Sequence, residues 1–199
     1  MPLPIAHSIV GYAFAAATGI RFRRDTMTAI LFSVVVANLP DADFLPGFLA
    51  NEPSLYHRTI AHTLPAAVVC GLIVGVVLTR FGKRFWEITL LGTVVFASHL
   101  FADMLNLTGN NIGVQILWPF SDNWYSIDTP FSRYAEWFNF ERGEDSSGFV
   151  ASFLSFSFVR AVLAQSVVFA PILIPALWLR RRKTARASGS SDARRPSRY

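Results

Sequence analysis

Five apolar stretches, at about 5–20, 27–48, 61–79, 86–107 and 153–179, constrain this chain more than any other feature. A helix that crosses a bilayer needs roughly 20 mainly apolar residues, and each window comes near that length. Across 199 residues, 52% are hydrophobic and only 16% charged, a balance that points away from a soluble domain and toward the membrane class. The first window is short and contains His7, and the last is longer than one crossing needs, with Pro171 and Pro175 placed to bend it. The opening "MPLPIAHSIVGYAF" lacks a basic segment and a small-residue cleavage site, so it is expected to remain as a span. The expected fold is all-α: an integral membrane bundle of about five transmembrane helices.

Charge sets the expected orientation. Arg21, Arg23 and Arg24 separate windows one and two, and Arg80, Lys83 and Arg84 separate windows three and four. Arg180, Arg181, Arg182 and Lys183 follow window five, with Arg186, Arg194, Arg195 and Arg198 beyond. These alternate connectors lie on one side, which the positive-inside rule makes cytoplasmic. The opposite connectors hold only Arg58, Arg133, Arg142 and Arg160, together with most of the acids. The net charge of +5 is therefore a topology signal and not a nucleic-acid-binding surface. The amino terminus is expected outside and the carboxy terminus in the cytoplasm. Residues 1–179 form the membrane-embedded domain, and 180–199 a basic, disordered cytoplasmic tail. Residues 108–148 form a long extracytoplasmic connector rich in Trp, Tyr and Phe, as suits an interfacial segment.

With that topology every histidine falls at the outer level. His7 lies near the outer end of span one, and Asp41 and Asp43 ("NLPDADFLPG") at the outer end of span two. His57 and His62 ("YHRTIAHTL") open span three, while His99 and Asp103 ("SHLFAD") close span four. A lone membrane histidine usually bonds a neighbouring helix, and a lone aspartate often only caps one. Seven such groups at one depth, from four separate segments, point instead to a metal site. His99 and Asp103 are i and i+4, so a helix projects both from one face. Asp41 and Asp43 sit at an irregular, proline-flanked helix end, where one carboxylate can ligate and the other bridge or orient. His57 and His62, at i and i+5, suit a loop residue and a first-turn residue. His/Asp ligands without thiolates favour zinc, with manganese or iron as alternatives. The one cysteine, Cys70, excludes a disulfide framework and a Cys-based zinc site. Arg58 suits a clamp for an anionic phosphate and equally suits an interfacial arginine pairing with Glu52 or a lipid headgroup.

The segments "HSIVGY", "LPDADFLPG", "HRTIAHTL", "SHLFADMLN" and "GVQILWPFSD", spanning residues 7–122, resemble the YdjM/YbcI-type family, described as inner-membrane-associated metal-dependent hydrolases. That family is in turn similar to zinc-dependent phospholipases C, all-helical enzymes with clustered His and Asp ligands. The resemblance implies His7, Asp41, His62, His99 and Asp103 as metal ligands. Asp43, His57 and Arg58 stand beside them as the candidate catalytic residues. It also implies a phosphoester substrate, such as a phospholipid or another membrane-anchored molecule, at the outer face of a bacterial inner membrane. Members are described as binding the LexA repressor, so the alternative is a non-catalytic protein that holds a divalent metal or a regulatory partner. Two departures stand out. The family pattern "HRGxTHS" reads His57–Arg58–Thr59–Ile60–Ala61–His62–Thr63 here, and no histidine follows His99.

Overall fold

A computed structural model describes residues 2–18, 26–106 and 113–192, with Thr26 and 184–192 as backbone only. Arg21, Arg23 and Arg24 of the first basic connector, residues 108–112 of the long connector and the tail from 193 lie outside the described residues. The helices are α1 (Pro4–Thr18), α2 (Thr26–Asn38), α3 (Phe44–Leu49), α4 (Leu64–Thr79), α5 (Phe85–Met104), α6 (Ala135–Phe138), α7 (Ser146–Ser152), α8 (Phe156–Phe169) and α9 (Leu173–Asp192).

Local chemistry explains the breaks. Pro40 has no N–H to continue the ladder of α2, so the chain turns through a tight 3-10 segment, Pro40–Asp43. The apolar stretch Met27–Leu49 consequently bends by 44° there. Helix α4 opens on Thr63, whose hydroxyl accepts from the Ala66 N–H at 3.2 Å, with proline in the first turn. Asp145 and Ser155 cap α7 and α8 in the same way. The α4–α5 connection turns at Gly82, whose φ of +74° suits a residue without a side chain.

Helix α1 is the weakest span by sequence and yet the central one, in contact with α2, α5, α8 and α9. Its small residues allow this. A Cβ on Gly11 would stand 2.6 Å from the Cβ of Ala37, and Ala13 and Ala16 pack on Ala176 of α9. The main core joins Val36 and Ala37 of α2, Ala67 of α4, and Leu91, Val95 and Leu100 of α5. Helices α4 and α5 meet through Gly71, Gly75 and Gly92, the small-residue packing typical where lipid supplies no hydrophobic drive. Outward-facing Ile73 and Val76 of α4 and Leu163 and Val167 of α8 remain exposed, as an apolar solvent would favour.

Among the described residues, Phe85–Met104 and the continuous run Phe156–Lys183 are long and apolar enough to cross a membrane. The bent α2–α3 pair makes a third if it is one span. Helix α4, with 16 residues, and α1, with 15, fall short of a hydrocarbon core of ~30 Å at ~1.5 Å per residue. The protein is thus mostly helical, with two or three candidate spans.

One short strand pair accompanies the helices: β1 (Leu105–Asn106) pairs in parallel with β2 (Ile127–Asp128), and Val114 bridges Tyr125. The segment from residue 180 is helical through Asp192, because Arg, Lys and Ala favour a helix and no proline intervenes before Pro196. The connector 113–148 folds back over one end of the bundle. Ile116 O accepts from Leu64 N at 2.8 Å. Phe138 is buried against Ala6, Val10 and Phe169. Gln165, wholly buried, accepts from Leu3 N at 2.5 Å and donates to Phe138 O at 3.0 Å.

Candidate metal centre

The histidines and aspartates picked out by sequence converge at that covered end. His7 comes from the first turns of α1, Asp41 and Asp43 from the 3-10 bend, His57 from the loop before α4, and His62 from the 3-10 turn that leads into α4. His99 and Asp103 come from the last turns of α5. His7, His62 and His99 are completely buried and Asp103 nearly so.

Each ring is held in a defined orientation. His99 donates from Nδ1 to Ala37 O at 2.7 Å, using a carbonyl of the last turn of α2, where intrahelical partners run out. Its Nε2 lone pair therefore faces inward, the backbone-anchored arrangement common for metal-ligating histidine. His62 Nδ1 stands 3.0 Å from Asp43 Oδ2, close but outside hydrogen-bond alignment. The second Asp43 oxygen contacts His57 Nδ1 at 3.0 Å, and Oδ2 also accepts the Arg58 N–H at 3.1 Å. Asp43 thus organises three neighbours. His57 stacks on Phe44 with ring centroids 4.1 Å apart. Burial lowers its pKa despite the Asp43 contact, so the ring is neutral at pH 7. His7 stacks on His99 at 3.6 Å.

The inward atoms show an unusual pattern. His62 Nε2 and His99 Nε2 lie 3.2 Å apart. Asp41 Oδ1 is 3.7 Å from the first and 3.5 Å from the second. Asp103 Oδ2 is 3.5 Å and 3.6 Å from the same two atoms. Most of these separations are too long for good hydrogen bonds. In each triangle formed by His62, His99 and one of the two carboxylates, the edges are close to the about 3.4 Å that separates ligands ~2.1 Å from a zinc ion. His7 Nε2 approaches Asp103 Oδ1 at 3.6 Å. Both nitrogens of His7, Asp41 Oδ1 and both oxygens of Asp103 are buried without a hydrogen-bond partner. Orphaned polar atoms at this density are costly unless a cation satisfies them. Among the described residues three overlapping groups could hold an ion: His7–Asp41–His99, Asp41–His57–His62 and His62–His99–Asp103. The residues present therefore fit a divalent metal.

Two cations border the cluster. Arg58 Nε lies 3.9 Å from Asp103 Oδ2, and Nη1 donates to Gly113 O at 3.4 Å. The Arg58 backbone adopts φ +65°, a left-handed conformation that costs ~1–3 kcal/mol for a residue with a side chain. Arg142, which sequence reasoning treats only as a charge count, lies over the rings of Phe44, Phe140 and Phe149 at 5.9, 5.0 and 5.9 Å. No local motif marks it, because its place depends on the fold-back of the connector. Gln165 is missed for the same reason.

A mostly helical protein with helices long and apolar enough to cross a membrane, and a buried His/Asp cluster at one end of the bundle, defines the class: a membrane protein with a cluster that could hold a metal. The chain belongs to the YdjM inner membrane protein family, whose model matches residues 1–181. No curated protein and no solved structure matches it, so the further likeness to zinc-dependent phospholipases C finds no support in these comparisons.

Proposed function

We propose that this protein is an integral-membrane, metal-dependent hydrolase acting on a phosphoester, such as a phospholipid or another membrane-anchored molecule. The observation that carries this reading is that Asp41 Oδ1 and Asp103 Oδ2 each lie 3.5–3.7 Å from both His62 Nε2 and His99 Nε2, with the neighbouring atoms of His7 also lacking partners. These five residues would hold the metal, with zinc preferred and manganese or iron as alternatives. When bound, such a metal would supply Lewis acidity and bring a water's pKa to around 7. His57, kept neutral and oriented by Asp43, is the proton acceptor; a base fixed by a carboxylate is the usual pairing. Asp43 also steadies His62 and the Arg58 backbone. Arg58 holds the anionic oxygens of the ester through its guanidinium.

The topology belongs to the same proposal. Five crossings over residues 1–179, the amino terminus outside and the 180–199 segment in the cytoplasm put the cluster at the outer leaflet of a bacterial inner membrane. The separation of ends supports it. Lys183 bonds Ala17 O and Thr18 O, so the basic start of the tail lies beside the end of α1 remote from His7. Residues 108–148 then form an extracytoplasmic cover.

A non-catalytic, metal-holding protein is the second reading, favoured by the complete burial of three histidines, since closed four-ligand sites are usually structural. Metal analysis combined with a screen of phosphodiester and phospholipid substrates separates the two. On the hydrolase reading, wild type carries about one or more equivalents of a divalent metal and turns over a phosphoester. His99→Ala with Asp103→Ala loses both. Metal without turnover of any phosphoester supports the structural reading, and metal-free wild type unaltered by the double substitution removes both.

A further inference from the structure

A groove of about 800 Å³ runs along the side of the bundle between α1, α2, α3 and α7. Its walls are apolar, with Ile5, Val35, Leu45 and Phe48 among them, and Val35 and Leu45 are exposed where the bent α2–α3 pair meets the surrounding medium. Among the described residues two charged ones line it: Asp41, which belongs to the candidate metal cluster, and Arg142. A second cavity of about 620 Å³ lies between the 50–55 turn and residues 142–145. Its walls are half polar, far more so than those of the groove, with Asn51, Glu52, Ser54, Glu144 and Asp145 among them. Among the described residues, Arg142 is the one lining both.

We infer that Arg142 binds the phosphate of a membrane phospholipid whose acyl chain lies in the apolar groove and whose headgroup occupies the polar cavity. The inference rests on the hydrolase reading and names its substrate class. The order apolar groove, guanidinium, polar cavity follows the order acyl chain, phosphate, headgroup along a phospholipid. A soluble phosphoester leaves the groove unused, and a lipid without phosphate offers the guanidinium no anion to grip. Three aromatic rings hold the guanidinium against free rotation, which limits the entropy lost when it grips a phosphate through paired N–H donors. Burial lowers the Arg142 pKa and the carboxylates of Asp41 and Asp103 raise it again, so those carboxylates act on it electrostatically. Glu52, Glu144 and Asp145 in the outer cavity oppose a second anionic group, so a zwitterionic headgroup of the ethanolamine type fits better than glycerol phosphate.

The test uses the full chain in nanodiscs containing equal parts of phosphatidylethanolamine, phosphatidylglycerol and diacylglycerol, with retained lipid identified by native mass spectrometry and metal content measured on the same samples. Wild type is expected to retain phosphatidylethanolamine over diacylglycerol by roughly tenfold or more, the scale of a charge-assisted hydrogen bond. Arg142→Gln abolishes that preference, Arg142→Lys keeps part of it, and Val35→Trp, which fills the groove, reduces retention of all three lipids. Arg133→Gln, on the exposed turn before α6, leaves it unchanged. Equal retention of phospholipid and diacylglycerol by wild type overturns the inference, as does an Arg142→Gln protein that keeps both its metal and its preference. If Arg142→Gln loses metal as well, Val35→Trp decides: a metal-loaded tryptophan variant that retains phospholipid as wild type does also overturns it. Metal-loaded wild type without lipid preference removes the lipid site and spares the metal reading. Metal-free wild type that prefers phospholipid does the reverse.

Discussion

His99 commits its Nδ1 proton to the Ala37 carbonyl, leaving Nε2 as an acceptor that faces His62 Nε2 3.2 Å away. Asp43 plays the complementary part, touching His57, His62 and the Arg58 backbone, so its partners are ring and backbone nitrogens rather than the central atoms. Carboxylates behind ligating histidines typically contribute 10–100-fold to metal affinity. Asp43→Asn is therefore expected to weaken metal retention by about that factor without abolishing it, measured by competition with a chelator; Asp103→Asn, at the centre, abolishes it. Gln165 makes a different residue-scale prediction. Gln165→Leu strips the Leu3 N–H and the Phe138 carbonyl of their buried partner. Each orphaned group costs ~1–3 kcal/mol, so the thermal unfolding midpoint in detergent falls while metal content per folded molecule holds.

At the scale of elements, the α4–α5 hairpin is the tightest unit and carries His62 and His99 at one end. A Cβ on Gly71 would stand 2.6 Å from the Thr89 carbonyl oxygen, a backbone atom of a packed helix that has little room to move. Gly71→Val is expected to cost about 1–3 kcal/mol through overpacking, read as a lowered unfolding midpoint, even though valine is the more apolar residue. The bend at Pro40 matters for another reason. It turns Asp41 and Asp43 into the bundle where a straight helix would spread them around its circumference.

For the whole molecule, the proposed orientation predicts which surfaces meet which compartment. With Cys70 replaced by alanine, Asp122→Cys is expected to react with an impermeant thiol reagent in intact cells and Gly82→Cys to react only after lysis. The opposite pattern inverts the topology and moves the cluster to the cytoplasmic side. Acid should release the metal, because histidine ligates only as neutral imidazole. Retention is expected to fall as pH drops through the ordinary histidine value of ~6.5. Stability follows the same sign at His57. Its folded pKa is lowered, so its contribution is complete above the ordinary value and is lost as pH falls toward the folded one. A calorimetric midpoint that rises on acidification from pH 7 to 5 contradicts this.

Apolar windows, alternating basic connectors and the spacing of His99 with Asp103 are properties of the chain itself, because they follow from composition and from the 3.6-residue turn. They sufficed to announce helices, a membrane setting and a candidate set of seven ligating groups. What tertiary structure alone decided was distance: that Nε2 of His62 and His99 face each other, that Asp43 stands behind the rings, and that α1 is central. It alone brought Arg142 from a connector without motif to the edge of the cluster, and gave Gln165 two backbone partners far away in sequence. The physical reason is that periodicity describes neighbours within one helix, whereas close approach between helices depends on where glycine, alanine and proline let separate backbones meet.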